Sequence, residues 1–204
     1  MADYKHGTYG EFAASIGDVA TQAGTIAVYV GLAPVNLVRG FEQYVNSPVK
    51  LSNLNAVKRY FGYSPDWSTF DLCEAFQLHF DNAAGNIGPI VAINVLDPAK
   101  HKKAQETTKE LAFANGQATI QSDTIILDTL ADKVEGVDFS IDYDFTKGQV
   151  IIDSLGEKLT GPVQATFSEV DISTITEDDI IGGMSAAGVY TGLGCVGLVY
   201  PELG

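Results

Sequence analysis

The chain has few cysteines and no long apolar run. Cys73 and Cys195 are its two cysteines, and their spacing matches no metal site. We therefore predict two reduced thiols in the protein core and synthesis in a cytoplasm. No stretch of about eighteen consecutive apolar residues exists, so we expect no insertion into a membrane. The first residues lack a basic region followed by an apolar one, which argues against a secretory signal.

Basic residues are also scarce, and they are unevenly distributed. Twelve Lys and Arg stand against 26 Asp and Glu, which gives a net charge of −14. Residues 1–103 carry eight basic and nine acidic side chains, a net of −1, whereas residues 104–204 carry four and seventeen, a net of −13. Because binding phosphates needs a basic surface, we expect no nucleic-acid partner. The change in character near residue 103 predicts two different structural units.

The stretch that separates these units is a strand followed by a stop. Ile90 to Leu96 is a run of β-formers interrupted by Asn94, as in a strand covered on both faces. Asp97-Pro98 ends the run, because proline cannot donate to a β-ladder. We predict an α+β protein in four parts: an extended arm over residues 1–24, a small α/β layer over 25–103, an acidic antiparallel β-sandwich or barrel over 104–172, and a linker with the start of a further α/β domain over 173–204.

The α/β layer is predicted to contain strands and two helices. Thr25 to Leu32 is rich in β-branched residues and predicts a buried strand. Ser52 is expected to cap a first helix, with Gly62 just after its end. A second helix is predicted from about Ser68, and the side chains expected on its buried face are Phe70, Cys73, Phe76 and Phe80.

Beyond residue 104 the apolar period changes to two. Val137 to Phe145 alternates apolar and polar residues, which predicts a strand with one dry and one acidic face. Asn115-Gly116 is a strong two-residue hairpin signal. Several such strands with turns between them indicate a β-sandwich or a small barrel. Thr176 to Asp179 is predicted to open a short helix, because acidic residues suit a helix amino terminus.

Two patterns suggest ligand sites at first sight. Gly192 to Gly197 matches the dinucleotide pattern Gly-x-Gly-x-x-Gly, but too little sequence follows for the helix and the ribose-binding acid. We therefore assign these glycines to tight packing of a helix. Asp142, Asp144 and Asp153 resemble a calcium loop, yet the required glycine is displaced and the segment is typical of a strand. We interpret these acids as a solvated strand face.

The histidines give no catalytic arrangement. His79 lies near Cys73 on the second predicted helix, but the two do not share a face, and we interpret His79 as a half-buried structural residue. His101 has no evident partner in its lysine-rich surroundings. Without a Ser-His-Asp order, a metal spacing or a phosphate loop, we predict a non-enzyme with no catalytic residue, no cofactor and no metal.

The arm over residues 1–24 has two interpretations. It contains four glycines and the aromatics Tyr4, Tyr9 and Phe12, and it shows no sustained period. Such a segment cannot bury enough surface to order itself, so a frayed terminus is one interpretation. The other is a strand lent to a neighbouring subunit, with the aromatics in pockets of that neighbour.

Taken together, these segments resemble the contractile tail sheath proteins of bacteriophages, prophages and phage-tail-like bacteriocins. The resemblance depends on the order and spacing of its segments and includes no short catalytic signature. Those segments are His6 to Glu11, Val28 to Pro34, Phe61 to Ser64, Thr69 to Ala75, Gly88 to Pro98, and Gly136 to Asp144.

The resemblance implies a structural polymer. Sheath subunits form stacked rings around a tail tube, bind the baseplate, and contract to drive the tube through a cell envelope. They lend terminal strands to neighbouring copies, which assigns Tyr4, His6, Tyr9 and Phe12 to a subunit-linking arm. The expected location is the virion tail, after assembly in the bacterial host cytoplasm. Family members continue well past Gly204, so the resemblance implies an amino-terminal portion of a sheath subunit.

Two other functions remain open at this stage. The acidic sandwich could be a stand-alone binding or adhesion module of a tail particle. The glycine run could belong to the amino-terminal part of a nucleotide-dependent enzyme. The sheath interpretation is the one that accounts for segments along the whole chain.

Overall fold

The computed structural model describes residues 26–82, 85–130 and 132–199. Within these ranges it combines short helices with four small β-sheets, which confirms the predicted α+β class. None of these sheets is a closed barrel, so the barrel alternative for the acidic unit is not observed. No helix in the described ranges has the length and apolar character needed to cross a membrane.

The first sheet has three strands, and the fully buried one lies in the middle. Its members are β1 (Ala27–Gly31), β2 (Val49–Leu51) and β3 (Ile90–Asn94), in the order β1-β3-β2. β1 runs parallel to β3, and β2 runs antiparallel to it. All of β3 is buried, so the predicted strand with both faces covered is confirmed.

Asn94 is the polar residue that interrupts the apolar run of β3, and both polar atoms of its side chain are hydrogen-bonded. Its Oδ1 accepts from the backbone N–H of Ala33 at 2.9 Å and of Leu96 at 3.3 Å. Its Nδ2 donates to the carbonyl oxygen of Leu96 at 2.8 Å. Because every group of this buried amide has a partner, it fixes the paths by which the chain leaves β1 and β3.

The first helix after β2 begins one residue later than predicted. α1 (Leu54–Tyr60) is capped by Asn53, whose Oδ1 accepts from the N–H of Ala56 at 2.9 Å. The prediction of Ser52 as the cap is therefore wrong by one position, although both residue types can accept this bond. Gly62 follows the helix with φ +71°, as the sequence predicted.

The second helix, α2 (Asp71–Phe80), begins later than predicted, since the sequence placed its start near Ser68. Ser68 instead belongs to a turn organised by Asp66, whose carboxylate accepts from the Ser68 hydroxyl at 2.5 Å and from the Thr69 hydroxyl at 2.6 Å. A side chain that bonds the local backbone and hydroxyls competes with helix formation, which explains the later start.

Buried aromatic side chains join the two helices to the first sheet. The rings of Phe61 and Phe76 are stacked, with their centroids 6.0 Å apart and an angle of 5° between their planes. Phe70, Cys73 and Phe76 are fully buried as predicted, whereas Phe80 is half-buried. Burial raises the pKa of the Cys73 thiol to about 12, so this thiol is inert at neutral pH.

The region after residue 104 forms two antiparallel sheets of three strands each. One has the order β4-β9-β6 and the other the order β5-β8-β7. Their buried side chains belong to a single hydrophobic cluster, so the two sheets share one core. The strands are β4 (Thr107–Ala112), β5 (Gln117–Gln121), β6 (Ile125–Leu130), β7 (Phe139–Asp144), β8 (Gln149–Ser154) and β9 (Pro162–Glu169).

The Asn115-Gly116 turn is present, but the strands that flank it separate. Asn115 and Gly116 have φ values of +54° and +77°, and Ala114 and Gln117 exchange backbone hydrogen bonds of 2.9 and 3.1 Å. This geometry confirms the predicted tight turn. Beyond that pair, β4 joins β9 and β5 joins β8, so the turn connects the two sheets.

The alternation predicted for Val137 to Phe145 holds over part of that range. In β7, Phe139 and Tyr143 are buried and Asp142 is exposed. Val137 is 55% exposed and precedes the strand, so its prediction as an inward-facing strand residue is wrong. The reason is a turn in which the Asp138 carboxylate accepts from the N–H of Val134 at 2.9 Å.

The last described segment contains five short elements. They are α3 (Glu177–Ile181), β10 (Gly183–Met184), β11 (Tyr190–Thr191), a 3-10 helix (Gly192–Cys195) and α4 (Val196–Val199). Thr176 and Asp179 form a capping box at the start of α3, which confirms the predicted helix start. β10 and β11 pair as an antiparallel ribbon.

We expect Phe76→Ala to destabilise the chain strongly, whereas Leu78→Ala on the same helix should not. Phe76 is fully buried against Phe61, so its truncation should lower the free energy of unfolding by about 3–5 kcal/mol. Leu78 is 62% exposed and should change it by less than about 0.5 kcal/mol. Urea unfolding followed by circular dichroism measures both, and equal losses would contradict the position of this core.

Candidate functional site

The arm residues that the sequence singles out lie outside the described residues. Tyr4, His6, Tyr9 and Phe12 all precede residue 26, where the description begins. Their role as a subunit-linking arm therefore stays a prediction. The described residues do define what lies next to this segment, because β1 starts at Ala27.

β1 is an edge strand of the first sheet. Among the described residues it pairs with β3 alone, and β2 forms the opposite edge. An edge strand presents backbone N–H and C=O groups that can pair with a strand from another chain. The arm therefore adjoins a sheet edge that is suited to strand addition.

A second feature is an apolar surface near the end of the described chain. Six of the eleven large apolar side chains that are exposed in the described ranges belong to residues 177–199, and the elements that carry them pack against one another. Contiguous exposed apolar patches are typical of protein interaction sites, which makes this segment a candidate. We call this set the carboxy-terminal apolar surface: Ile180, Ile181, Met184, Val189, Leu193 and Leu198.

Asn46 attaches the segment that carries this surface to the first sheet. The carbonyl of Asn94 accepts from the Asn46 N–H at 2.8 Å. The Asn46 side chain in turn accepts from the N–H of Gly192 at 2.8 Å, and its carbonyl accepts from the Cys195 thiol at 3.2 Å. Asn46 has φ +49°, a left-handed conformation that asparagine tolerates better than most residues. These bonds attach the segment to the first sheet at Gly192 and Cys195.

Glycines allow the segment to fold tightly upon itself. A Cβ atom at Gly192, where φ is +54°, would lie 2.3 Å from the carbonyl oxygen of Ile180. A Cβ atom at Gly182 would lie 2.1 Å from the carbonyl oxygen of Thr191. Both contacts exclude any larger residue. Close packing therefore accounts for Gly192 in the glycine run, which agrees with the packing interpretation of that run.

The prediction that His101 has no evident partner is wrong, because the Asp97 N–H and the Asp179 carboxylate lie close to its ring. Its side chain is 2% exposed, and its Nδ1 accepts from the N–H of Asp97 at 3.1 Å. The proton of the neutral ring is therefore on Nε2, which lies 3.7 Å from Oδ1 of Asp179. Burial lowers the pKa of His101, an effect that the neighbouring Lys100 ammonium reinforces and that Asp179 partly opposes.

Asp179 links the carboxy-terminal segment to the turn after β3. Its carboxylate accepts from the Lys100 ammonium, from the N–H of Thr176 at 2.9 Å and from the Thr176 hydroxyl at 2.8 Å. The bond from Lys100, followed by those from Thr176, lowers the pKa of Asp179. The carboxylate is therefore charged at neutral pH and serves as a structural anchor.

His79 has a structural role, as predicted. It is half-buried, its Nε2 shares a hydrogen bond of 2.8 Å with the Tyr29 hydroxyl, and its Nδ1 donates to the carbonyl oxygen of Ile87 at 2.6 Å. These bonds tie α2 to β1 and to the segment before β3.

The acidic residues of the calcium-like pattern lie on two paired strands, Asp142 and Asp144 on β7 and Asp153 on β8. Asp142 is exposed on β7, Asp153 on β8 accepts from Gln117 Nε2 at 2.9 Å, and Asp144 accepts from the backbone N–H of Thr146 at 2.9 Å. Within the described ranges, no group of three or more His, Cys, Asp or Glu side chains is arranged to hold a metal ion. Cys73 and Cys195 are free and buried, as predicted.

The chain is similar in sequence to a phage tail protein. It is 28% identical over 175 residues to the tail sheath protein of Burkholderia phage BcepMu, a match that covers 80% of this chain and 33% of that protein. The chain thus spans about a third of the length of this curated relative. No family model matches the chain.

The sequence pointed to the arm and missed the carboxy-terminal apolar surface. The last 23 residues are rich in apolar side chains, a signal that is compatible with a core element as well as with a surface. The structure decides between these, because the six side chains are exposed while Asn46 bonds the segment to the first sheet at Gly192 and Cys195.

We expect His101 to make the stability of the protein depend on pH. Because burial lowers its pKa, the unfolded chain binds a proton below about pH 6.5 that the folded chain resists. Stability should therefore fall as the pH drops from about 7.5 to about 5.5, by at most about 1.4 kcal/mol per pH unit. His101→Gln should remove this part of the slope, and His79→Gln should retain it. Urea unfolding at each pH measures the effect, and parallel slopes for wild type and His101→Gln would refute it.

Proposed function

We propose that this chain is part of a structural subunit of a contractile phage tail sheath. The observation that carries the proposal is the similarity to a tail sheath protein over most of the chain. In this role the protein binds other copies of itself in stacked rings around a tail tube, and contacts the baseplate. Contraction of the rings drives the tube through a cell envelope, and the protein catalyses no reaction. Its location is the virion tail, after assembly in the host cytoplasm.

The arm over residues 1–24 supplies the first kind of contact between copies. In the proposed assembly it adds as a strand to the open edge of a neighbouring sheet, with Tyr4, His6, Tyr9 and Phe12 in pockets of that neighbour. Each backbone hydrogen bond contributes a net of about 0.5–1.5 kcal/mol. Links of this strength, repeated around a ring, hold copies together through high effective concentration.

The carboxy-terminal apolar surface supplies the second kind of contact, with another copy of the chain. Its support is the concentration of exposed apolar side chains in a short segment that is fixed to the sheet by Asn46. Burying apolar area stabilises a contact by about 25 cal/mol per Å². This short-range attraction offsets the repulsion between copies that each carry a net charge of −14.

The proposed domain division places much of the charge away from these contacts. Residues 104–172 carry thirteen acidic and four basic side chains, a net charge of −9, and in the proposed subunit this acidic unit lies towards the outside of the sheath. Charged side chains that remain in water avoid the cost of desolvation. The α/β layer over 25–103 then lies nearer the tube.

Deletion of residues 1–24 should abolish the formation of long sheaths. The described sheets and both hydrophobic clusters begin after this segment, so the deletion should leave folding intact. Electron micrographs of particles that carry the deletion in their sheath subunit measure the result, with circular dichroism as the test of folding. Normal sheaths built from the shortened subunit would refute the role of the arm.

Charges introduced on the carboxy-terminal apolar surface should weaken association between copies. The double variant Met184→Glu with Leu193→Glu places carboxylates at side chains that are 63% and 49% exposed, so folding should be retained. A matched control is Val134→Glu with Val137→Glu, which adds the same charge at side chains that are 57% and 55% exposed elsewhere.

Sedimentation velocity and electron microscopy distinguish the two double variants. We expect at least about a tenfold weaker association for the Met184 and Leu193 pair, because desolvating a carboxylate in a contact costs more than about 1.4 kcal/mol. The control pair should assemble like the wild type. Equal behaviour of the two pairs would show that this surface is not a contact between copies.

A further inference from the structure

The strand β4 forms an edge of the acidic unit. Among the described residues it pairs with β9 alone, in an antiparallel register that runs from Thr107 opposite Phe167 to Ala112 opposite Pro162. The backbone N–H and C=O groups on the outer side of an edge strand can pair with a strand from another molecule. The sequence analysis and the proposed function both leave this edge without a role.

The side chains of β4 alternate between the core and the outer face. Leu111 is buried in the hydrophobic cluster that the two sheets of the acidic unit share, and Lys109 lies on the same face because it is two residues away. On the opposite face, the hydroxyls of Thr108 and Thr166 share a hydrogen bond of 3.1 Å. Lys109 is therefore a charged residue on the core-facing side of an edge strand.

The neighbours of Lys109 on β9 are fully buried. Ala165 lies directly opposite Lys109, and Phe167 follows two residues further along β9. The Lys109 ammonium lies 5.9 Å from the centroid of the Phe167 ring, a distance at which a cation and an aromatic ring attract each other. Lys109 itself is exposed. Its position is thus at the border between the core and the solvent, which suits a side chain with an apolar stem and a charged end.

A strand added to β4 would remove water from this border. Its backbone would lie about 4.8 Å from β4, and its side chains on the core face would lie beside Lys109. The ammonium would then be enclosed between the added strand and the core. Burying a charge without a partner is unfavourable, so Lys109 opposes the addition of a strand at this edge.

Pairing between the β4 strands of two copies is opposed twice over. In a two-fold antiparallel pair, the core faces of both sheets lie on the same side, so both Lys109 side chains are brought to one face. Where the register places these two residues opposite each other, their like charges repel. In the other registers that keep the core faces aligned, both ammonium groups still lose water.

The edge strand β1 of the first sheet differs in this respect. Ala27–Gly31 has the sequence Ala-Val-Tyr-Val-Gly and contains no charged side chain. β4 has six residues against five in β1, so the two edges offer backbones of similar length. A charge on the core-facing side therefore distinguishes the β4 edge from the β1 edge.

We propose that Lys109 closes the β4 edge to strand addition, so that copies of this chain do not pair through their acidic units. The inference rests on the pairing of β4 and on the position of Lys109, and it is independent of the proposed function. In the proposed sheath, Lys109 would in addition favour the uncharged β1 edge as the acceptor of a lent strand.

Lys109→Val is the variant that tests this role, because it removes the charge and keeps a residue that favours strands. The change makes the net charge of the chain more negative by one, from −14 to −15, so repulsion alone predicts weaker association between copies. We expect the opposite result. Self-association should become at least about tenfold tighter than in the wild type, because no ammonium has to lose water. Sedimentation velocity over a series of protein concentrations measures it.

Two control variants separate the position of the charge from its amount. Lys147→Val makes the same substitution and the same change of charge at a side chain that is 69% exposed in the turn between β7 and β8. Lys109→Arg keeps the cation in place. Both should associate like the wild type. Circular dichroism tests the folding of each variant, and Lys109→Thr, which is also neutral and favours strands, replaces Lys109→Val if the valine variant is unfolded.

Hydrogen exchange identifies the surface through which a variant associates. In associated Lys109→Val, the N–H groups of β4 that do not bond β9 should become protected, because a second strand binds them. Contact through the carboxy-terminal apolar surface would instead protect residues 177–199. The proposal would be overturned if Lys109→Val associated no more tightly than Lys147→Val, or if its tighter association left β4 unprotected.

Discussion

The buried amide of Asn94 determines how the parts of this protein meet. It lies at the end of a strand that is covered on both faces, where a polar group is stable because each of its hydrogen-bonding atoms has a partner. Its side chain fixes the exits of β1 and β3, and its carbonyl binds Asn46. Asn46 then binds the backbone at Gly192 and the thiol of Cys195. A single chain of hydrogen bonds thus connects the centre of the first sheet to the carboxy-terminal segment.

This connection explains why apolar side chains near residue 190 remain in water. One backbone N–H and one thiol of the segment bond Asn46 beside the sheet, and Asp179 anchors the first helix of the segment to Lys100. The hydrophobic effect then acts on what remains exposed, which favours contact with another protein surface. For a chain with a net charge of −14, such contacts have to be short-ranged and apolar, because long-range electrostatics oppose association between copies.

The two hydrophobic clusters meet at a junction that is more polar than either of them. Asn36 donates to the backbone of β6 and its approach, Ser64 bonds the carboxylate of Asp123, and Arg39 pairs with Glu135. Polar contacts between units are directional, and they leave space where side chains do not interdigitate. A cavity of about 440 Å³ beside Asn36 and Tyr143 is such a space.

Local patterns alone determined the buried strand β3, the tight turn at Asn115-Gly116, the start of α3 and the α+β class, because each depends on residues that are neighbours in the chain. Other features depended on contacts between distant residues, which no local pattern records. His101 is buried beside the backbone of Asp97 and the carboxylate of Asp179, which lie far apart in the sequence. Strands β4 and β5 flank one turn, yet β4 pairs with β9 and β5 pairs with β8. The sequence likewise specified that residues 180–198 are apolar, whereas only the tertiary structure decided that they are exposed. Apolar character is a property of a side chain, but burial depends on what the rest of the fold places over it.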